Sequence, residues 1–462
     1  LPAFQPPPLS FAQGNANAGN FFNTVFAVDP NLQMQKNYEY SFGFQREIGW
    51  NTAIEVRYVG GASDSLHQAF DFNQIDITNN GFLADFINAR NNCRIQAASI
   101  GNTLDQGCQS IANIGLPGQV NLPVFDSMPF GGLKTNGTIR SQVQEGTAAQ
   151  LALIYFTNGL QGPVQFRANT NAGVVDYLTN AGKYRYNSLQ LEIRRRFSDG
   201  LQFQAIYNFQ KLLTDSAPDN PTRFNPFLDF NNQGLEYARA DYDRTHTINI
   251  NTNYELPFGK GKTFFNQGGI VDKIVGGWQV TGIVNISSGA PISIKDVNGT
   301  LNRTGRSGRQ TANSSLSESE IKNLTGIFHQ NGNVFFINPT AIGPDGSATN
   351  GNVEATPNAA FPGQVFFRVQ PGQTGTLQRA FLNGPWYYNV DAGLIKNIRF
   401  GERFRVQLRA EAFNVLNQTN WFIGENTNTF DIDDASGTTF GQIPLGNTFS
   451  PRIMQFAFRL EF

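Results

Sequence analysis

Three histidines, a glycine–lysine turn, an acidic segment and two cysteines are the residues of this chain whose chemistry is worth weighing first. His67, His246 and His329 lie far apart in sequence, and none stands in a metal-ligand spacing or beside a nucleophile motif. "GKGKT" at 259–263 resembles a phosphate loop, but the glycine needed five residues before Gly261 is Leu256. "FDIDDASG" (430–437) offers Asp431, Asp433 and Asp434 as oxygen ligands for Ca²⁺. It lacks the ligand spacing and the closing glutamate of a calcium loop, so a solvated loop is the plainer expectation. "NRTGR" and "GRSGR" (302–309) form a small basic patch suited to anionic glycans or lipid head groups, or simply to solvent. No catalytic residue, cofactor site or metal site is predicted, and the chain does not read as an enzyme.

Cys93 and Cys108 sit in the polar, turn-rich stretch "NNCRIQAASIGNTLDQGC". With no other Cys or His close by, they suit a loop disulfide better than zinc, and hence an oxidising compartment. Two unpaired loop thiols are the alternative. What remains is charge placed at every second residue: Glu192, Arg194 and Arg196, then Arg403, Arg405, Arg409 and Glu411. Ion pairs are the first expectation for these, with solute guidance or docking of another domain as the sharper one.

Such a spacing implies strands. "YNSLQLEIRRRF" (186–197) sets Leu189, Leu191 and Ile193 against Ser188, Gln190, Glu192, Arg194 and Arg196. "RFRVQLRAEAF" (403–413) sets Phe404, Val406, Leu408 and Ala410 against Arg403, Arg405, Gln407, Arg409 and Glu411. The same alternation runs through 37–48, 51–60, 201–210, 246–256, 278–286, more weakly 388–400, and 452–462, giving nine strands. They are nearly twice the usual ~5 to 6 residues. A tilted strand crossing a bilayer needs about 9 to 11.

Links between these strands alternate. "GW", "SDG" and "GE" are tight and 257–277 is moderate, whereas 61–185, 211–245, 287–387 and 414–451 are long. Outer-membrane barrels sort their connections this way, with short periplasmic turns and long extracellular loops. Lys plus Arg is 34 and Asp plus Glu 35, so no charge excess points to nucleic acid. No run approaches the ~18 to 20 apolar residues of a membrane helix, which leaves a β-barrel open. The start, "LPAFQPPPLSFAQGNANAGN", has no basic n-region and no compact apolar h-region and is not read as a signal peptide.

The loop pattern also orients the strands. It puts Tyr38, Tyr58, Tyr184, Tyr186, Trp386 and Tyr388 at outer ends, and Trp50, Tyr254 and Trp278 at inner ends, as two aromatic girdles. Phe456, Phe458, Leu460 and Phe462 form the outward row of the last strand and suit an assembly signal read by the barrel insertion machinery. The expected fold is therefore all-β: an antiparallel transmembrane barrel segment of about nine to ten long strands. Residues 1–34 are read as an extracellular loop or the remnant of a preceding strand, and 35–462 as barrel. A soluble sandwich ending on its last strand is the competing reading.

"DPNLQMQKNYEYSFGFQREIGWNTAIEVRYVGG", "YNSLQLEIRRRFSDGLQFQAIYNFQKLLTDS", "DYDRTHTININTNYELPFGKGK", "GGWQVTGIVNISSGAPISI", "NVDAGLIKNIRFGERFRVQLRAEAFNVLNQTNWF" and "PRIMQFAFRLEF" together resemble Oar-like TonB-dependent receptors, which are abundant in acidobacteria. The resemblance covers the strands from about 29 to 462 and little of the long loops. It implies a receptor with a carboxypeptidase-regulatory-like sandwich, a plug and a barrel of about 22 strands. Neither a plug nor a coupling box is present in this sequence, so the match is to the C-terminal part of such a barrel. The implied function is passage of an unidentified solute, with the TonB system, the assembly machinery and outer-membrane lipid as partners. A surface adhesin that moves nothing is the alternative.

Overall fold

The computed structural model describes residues 24–170, 172–216, 226–302, 310–354, 359–401, 403–423, 429–433 and 439–462. Nine strands form one antiparallel meander in which each pairs with the next: β1 (Tyr38–Gly49), β2 (Thr52–Asp71), β3 (Val174–Ser198), β4 (Leu201–Thr214), β5 (His246–Glu255), β6 (Trp278–Ser287), β7 (Tyr387–Phe400), β8 (Phe404–Phe413) and β9 (Ile453–Glu461). These are the nine segments that the period-two pattern marks. Hairpin chemistry explains the tight links. Trp50 and Asn51 have φ of 49° and 52°, and Asp199 and Gly200 have 50° and 80°. Two consecutive left-handed residues match the twist of right-handed strands. Among the described residues, β1 and β9 are the two edges of the sheet.

Two strands are longer than their patterns. β2 has 20 residues and β3 has 25, because 62–71 pairs with 176–185 beyond the predicted ends. Those extensions lack clean alternation because they project among the outer segments, where both faces gain protein neighbours. Thr24–Val28 adds a short strand parallel to Val174–Leu178.

The all-β expectation fails outside the meander. Residues 72–173 carry helices α1 (Phe82–Ser99), α2 (Gly137–Glu145) and α3 (Ala148–Thr157). Phe82, Phe86, Ala89, Cys93 and Ala97 recur at helical spacing and are all buried. Cys93 therefore lies within a helix and not in a turn-rich loop, and its sulfur is bonded to that of Cys108. Phe82 packs edge-on against Phe166 at 4.9 Å and Tyr155 at 6.1 Å. Asp85 accepts from Val124 N (2.8 Å) and Phe125 N (3.1 Å) at the start of the short helix Pro123–Ser127. At about 1.5–3 kcal/mol per buried large apolar side chain, this unit has a core of its own.

A second outer unit joins two connections. Ile292, Ile294, Phe336 and Phe366 from 287–387 share a core with Phe430, Ile432 and Phe440 from 414–451. Thr429–Asp431 lies parallel to Ser293–Lys295. Arg379, on the third long connection, meets Glu236 of the second at 2.8 Å with both side chains buried. Neither outer core contains a side chain from the predicted apolar rows of the strands.

Candidate functional site: the two faces of the sheet

Strand parity decides what each face presents, and the register carries it across the whole sheet. One hydrogen-bonded row reads Phe44, Val56, Leu191, Tyr207, Ile248, Ile286 and Tyr388. A second reads Leu201, Tyr254, Val280, Leu394, Ala410 and Phe456. Both are on one face. One residue along, on the opposite face, Gln202, Asn253, Thr281, Gly393, Glu411 and Gln455 form a row of their own. A slip of one residue at any pairing would exchange the faces, and none occurs between these rows.

The apolar face is not a dry interior. Phe456 is 75% exposed, Phe458 67% and Phe462 94%, although each is large and apolar. A contiguous exposed band of this kind marks a surface that meets something other than water. Tyr38, Tyr58, Tyr254, Trp278 and Tyr388 all lie on this face, with Trp50 in the β1–β2 turn. Trp386 stacks on Tyr388 at 6.0 Å and on His246 at 5.9 Å, and Tyr207 Oη and His246 Nδ1 are 2.9 Å apart. His246 thus belongs to an aromatic cluster on the apolar face. At Gly60 the Tyr40 ring lies over the position a Cβ would take, so a larger residue there would displace that ring.

Tyr186 departs from the girdle reading. It follows the parity of Ser188 and Glu192, so it sits on the polar face and donates to Gln210 Oε1 at 2.9 Å. Position along the strand was right for a girdle, but parity sends the ring to the other side.

On the polar face, Arg194 is 3.9 Å from Glu192, which also accepts from Gln204 at 2.8 Å. Arg405 lies 3.7 Å from Glu461 and donates to Asn397 Oδ1 at 2.8 Å; Gln407 donates to the same oxygen at 2.9 Å. Arg409 donates to Gln407 at 2.7 Å, and Glu411 accepts from Gln455. Arg196 keeps the parity of Arg194, and Arg403 stands exposed at the β7–β8 turn. These charges are tied together mostly by amides, with few close ion pairs. Asn397, on the polar row of β7, accepts from both Arg405 and Gln407, a role that the weak alternation of its strand did not single out. A cleft of about 440 Å³ opens on this wall, with Arg194, Gln202, Gln204, Asn251, Asp391 and Glu411 among its lining.

The described part of the acidic segment, 430–433, is not solvated as expected. Asp433 is held by Arg368 (2.9 Å), Thr349 (2.7 Å) and Asn298 (2.9 Å). Burial, aided by Asp433 and Asp296, pushes the Asp431 carboxyl up to about 6. Asp434 and the arginines of 302–309 fall outside the described residues. Among the described residues, no three His, Cys, Asp or Glu side chains converge as metal ligands.

A two-faced antiparallel meander with an exposed apolar band resembles a barrel architecture. The chain belongs to the outer membrane beta barrel domain family, whose model matches residues 2–455. It is an outer-membrane protein. No curated protein matches the sequence. Among solved structures, the outer membrane transporter YddB from Escherichia coli is similar at 8% identity and a TM-score of 0.38, over 96% of this chain and 34% of that one. BauA, the ferric preacinetobactin receptor from Acinetobacter baumannii, is similar at 8% identity and 0.32, over 92% and 29%. The FrpB iron transporter from Neisseria meningitidis is similar at 9% and 0.30, over 95% and 33%. The chain spans about a third of the length of these structures.

Proposed function

We propose that this chain is the C-terminal part of the barrel of an Oar-like TonB-dependent outer-membrane transporter, forming one wall of a wide polar conduit. The observation that carries the proposal is the unbroken two-faced register over nine strands. About eight strands already fill a barrel with their own side chains. A packed interior does not hold arginines, glutamates and amides at this density without large desolvation costs, whereas a wide wet lumen does. Glu192, Arg194, Arg196, Arg403, Arg405, Arg409 and Glu411 then line the lumen, and the apolar face meets lipid. Among the described residues β1 and β9 are edges of the sheet, and such edges suit further strands of a longer chain.

In the intact receptor, the outer units bind the solute, and movement of a plug driven by the TonB system releases it. One observation favours a second reading. The outer connections fold as units with their own cores, which is what an adhesin that moves nothing would also need.

The test uses the product of the whole reading frame in its native outer membrane. Heat-modifiable migration on a gel, together with cross-linking to the periplasmic domain of TonB, is expected. A folded barrel that never cross-links, from a frame that encodes no plug, leaves adhesion. Migration unchanged by heat, with solubility in the absence of detergent, sinks both readings.

A further inference from the structure

The connection between β5 and β6 differs from the other inner turns. It holds the short helix α4 (Ile270–Val275), on which Ile270 is 76% and Ile274 63% exposed. Phe264 and Phe265 before it are also exposed, with their rings tilted against Phe258 at 5.9 and 6.1 Å. Five large apolar side chains with Val271 among them, on one turn at the rim, need a partner other than water.

The side of the sheet on which α4 lies follows from parity. Trp278 and Lys396 are cross-strand partners on the apolar face. Trp278 Nε1 donates to Ile274 O at 2.9 Å, and Lys396 Nζ donates to the same carbonyl at 2.9 Å and to Gly276 O. Lys273 Nζ lies 4.9 Å above the ring of Phe400, also on the apolar face. These contacts bind the C-terminal end of α4 to the apolar side of the rim and away from the polar wall. The turn is also locked internally. Lys260 N donates to Asp272 Oδ1 at 2.6 Å, and Gly277, at φ 68°, fits where a Cβ would strike Asn397 O.

We infer that α4 and its turn form an in-plane anchor on the lipid-facing side of the periplasmic rim, taking up anionic phospholipid of the inner leaflet. The apolar residues continue the exposed band at Phe400, and Lys260 and Lys273 stand exposed beside them to meet phosphates. Aliphatic side chains flanked by lysines are the composition of an interfacial helix, and each lysine near an anionic surface adds to its binding. The inference rests on the lipid-facing assignment of the apolar face proposed above.

The test reconstitutes the full chain in nanodiscs of phosphatidylethanolamine with phosphatidylglycerol and reads nitroxide labels by collision with oxygen and with a water-soluble nickel chelate. Labels go at Ile274→Cys, at Val271→Cys as a second position, at Leu394→Cys in the apolar band, and at Asp199→Cys in an inner turn. Heat-modifiable migration selects the variants that fold. The anchor labels are expected to behave like Leu394→Cys, open to oxygen and severalfold protected from nickel relative to Asp199→Cys. Nickel exposure at both anchor positions, with Leu394→Cys protected, overturns the anchor and leaves the barrel wall standing. Nickel exposure at Leu394→Cys as well removes the lipid-facing assignment itself. Protection from both reagents at the anchor means a protein covers it and overturns the lipid occupant. Replacing phosphatidylglycerol by phosphatidylcholine is expected to raise nickel exposure at Ile274→Cys, and to change nothing once Lys260→Gln and Lys273→Gln are added. No response to the lipid exchange overturns the anionic assignment.

Discussion

Asp431 sits at the junction of two outer connections, where Thr429–Asp431 pairs with Ser293–Lys295. Its carboxyl is raised to about 6 by burial first and by Asp433 and Asp296 after it. The sign follows from comparing folded and unfolded chains. Below about pH 4 both hold the proton and nothing is lost. As pH rises toward 6 the unfolded chain releases it first, so the outer unit loses stability, and the cost is complete above 6. Asp431→Asn removes the charge and keeps an oxygen to accept from Asp433 N. It is expected to stabilise the second outer unit by on the order of 2–3 kcal/mol at pH 7 and by almost nothing at pH 4. Amide hydrogen exchange across 291–295 at the two pH values measures this; equal protection gains at both would show that the carboxyl is not perturbed.

Among the elements, β9 has the plainest dependence on its surroundings. Among the described residues it pairs on one side only, with β8, and eight of its nine residues are exposed. Its stability therefore depends on lateral hydrogen bonds and on lipid contact along Met454, Phe456, Phe458, Leu460 and Phe462. Phe458→Ser with Phe462→Ser is expected to cut the folded, heat-modifiable fraction in outer membranes severalfold. That row is also proposed as the signal read by the assembly machinery. Wild-type insertion of the double variant would remove this account of the C-terminus.

At the scale of the molecule, the wall and the outer units are stabilised by different physics. The sheet has cross-strand ladders and an exposed apolar band, while each outer unit has a buried core. Damage to one is then expected to spare the other. Cys93→Ser unlinks α1 from the segment at Cys108 and is expected to cost the first outer unit roughly 2–4 kcal/mol, with the sheet unaffected. Limited proteolysis should show new cleavage confined to 72–173 while heat-modifiable migration is unchanged. Loss of the barrel form in that variant would mean that the outer unit and the wall fold as one.

The strands were legible because the two faces of the sheet differ across its whole width, so every second residue is apolar and the others are polar. That constraint is local, and it is written in Leu189, Leu191 and Ile193 against Gln190, Glu192 and Arg194. Short and long links were legible for the same reason, since turns such as "SDG" need particular residues. The outer units were not legible, because their cores join residues distant in sequence, such as Ile294 with Phe430, and no period announces such a pairing. Tyr186 was misplaced for a different reason: position near a strand end suggested a girdle, while the alternation it shares with Ser188 and Glu192 already put it on the polar row, and its pairing with Gly61 and Leu212 agrees. Local alternation determined the wall; the contacts between separate connections, and the side of the rim on which α4 lies, were decided by tertiary structure alone.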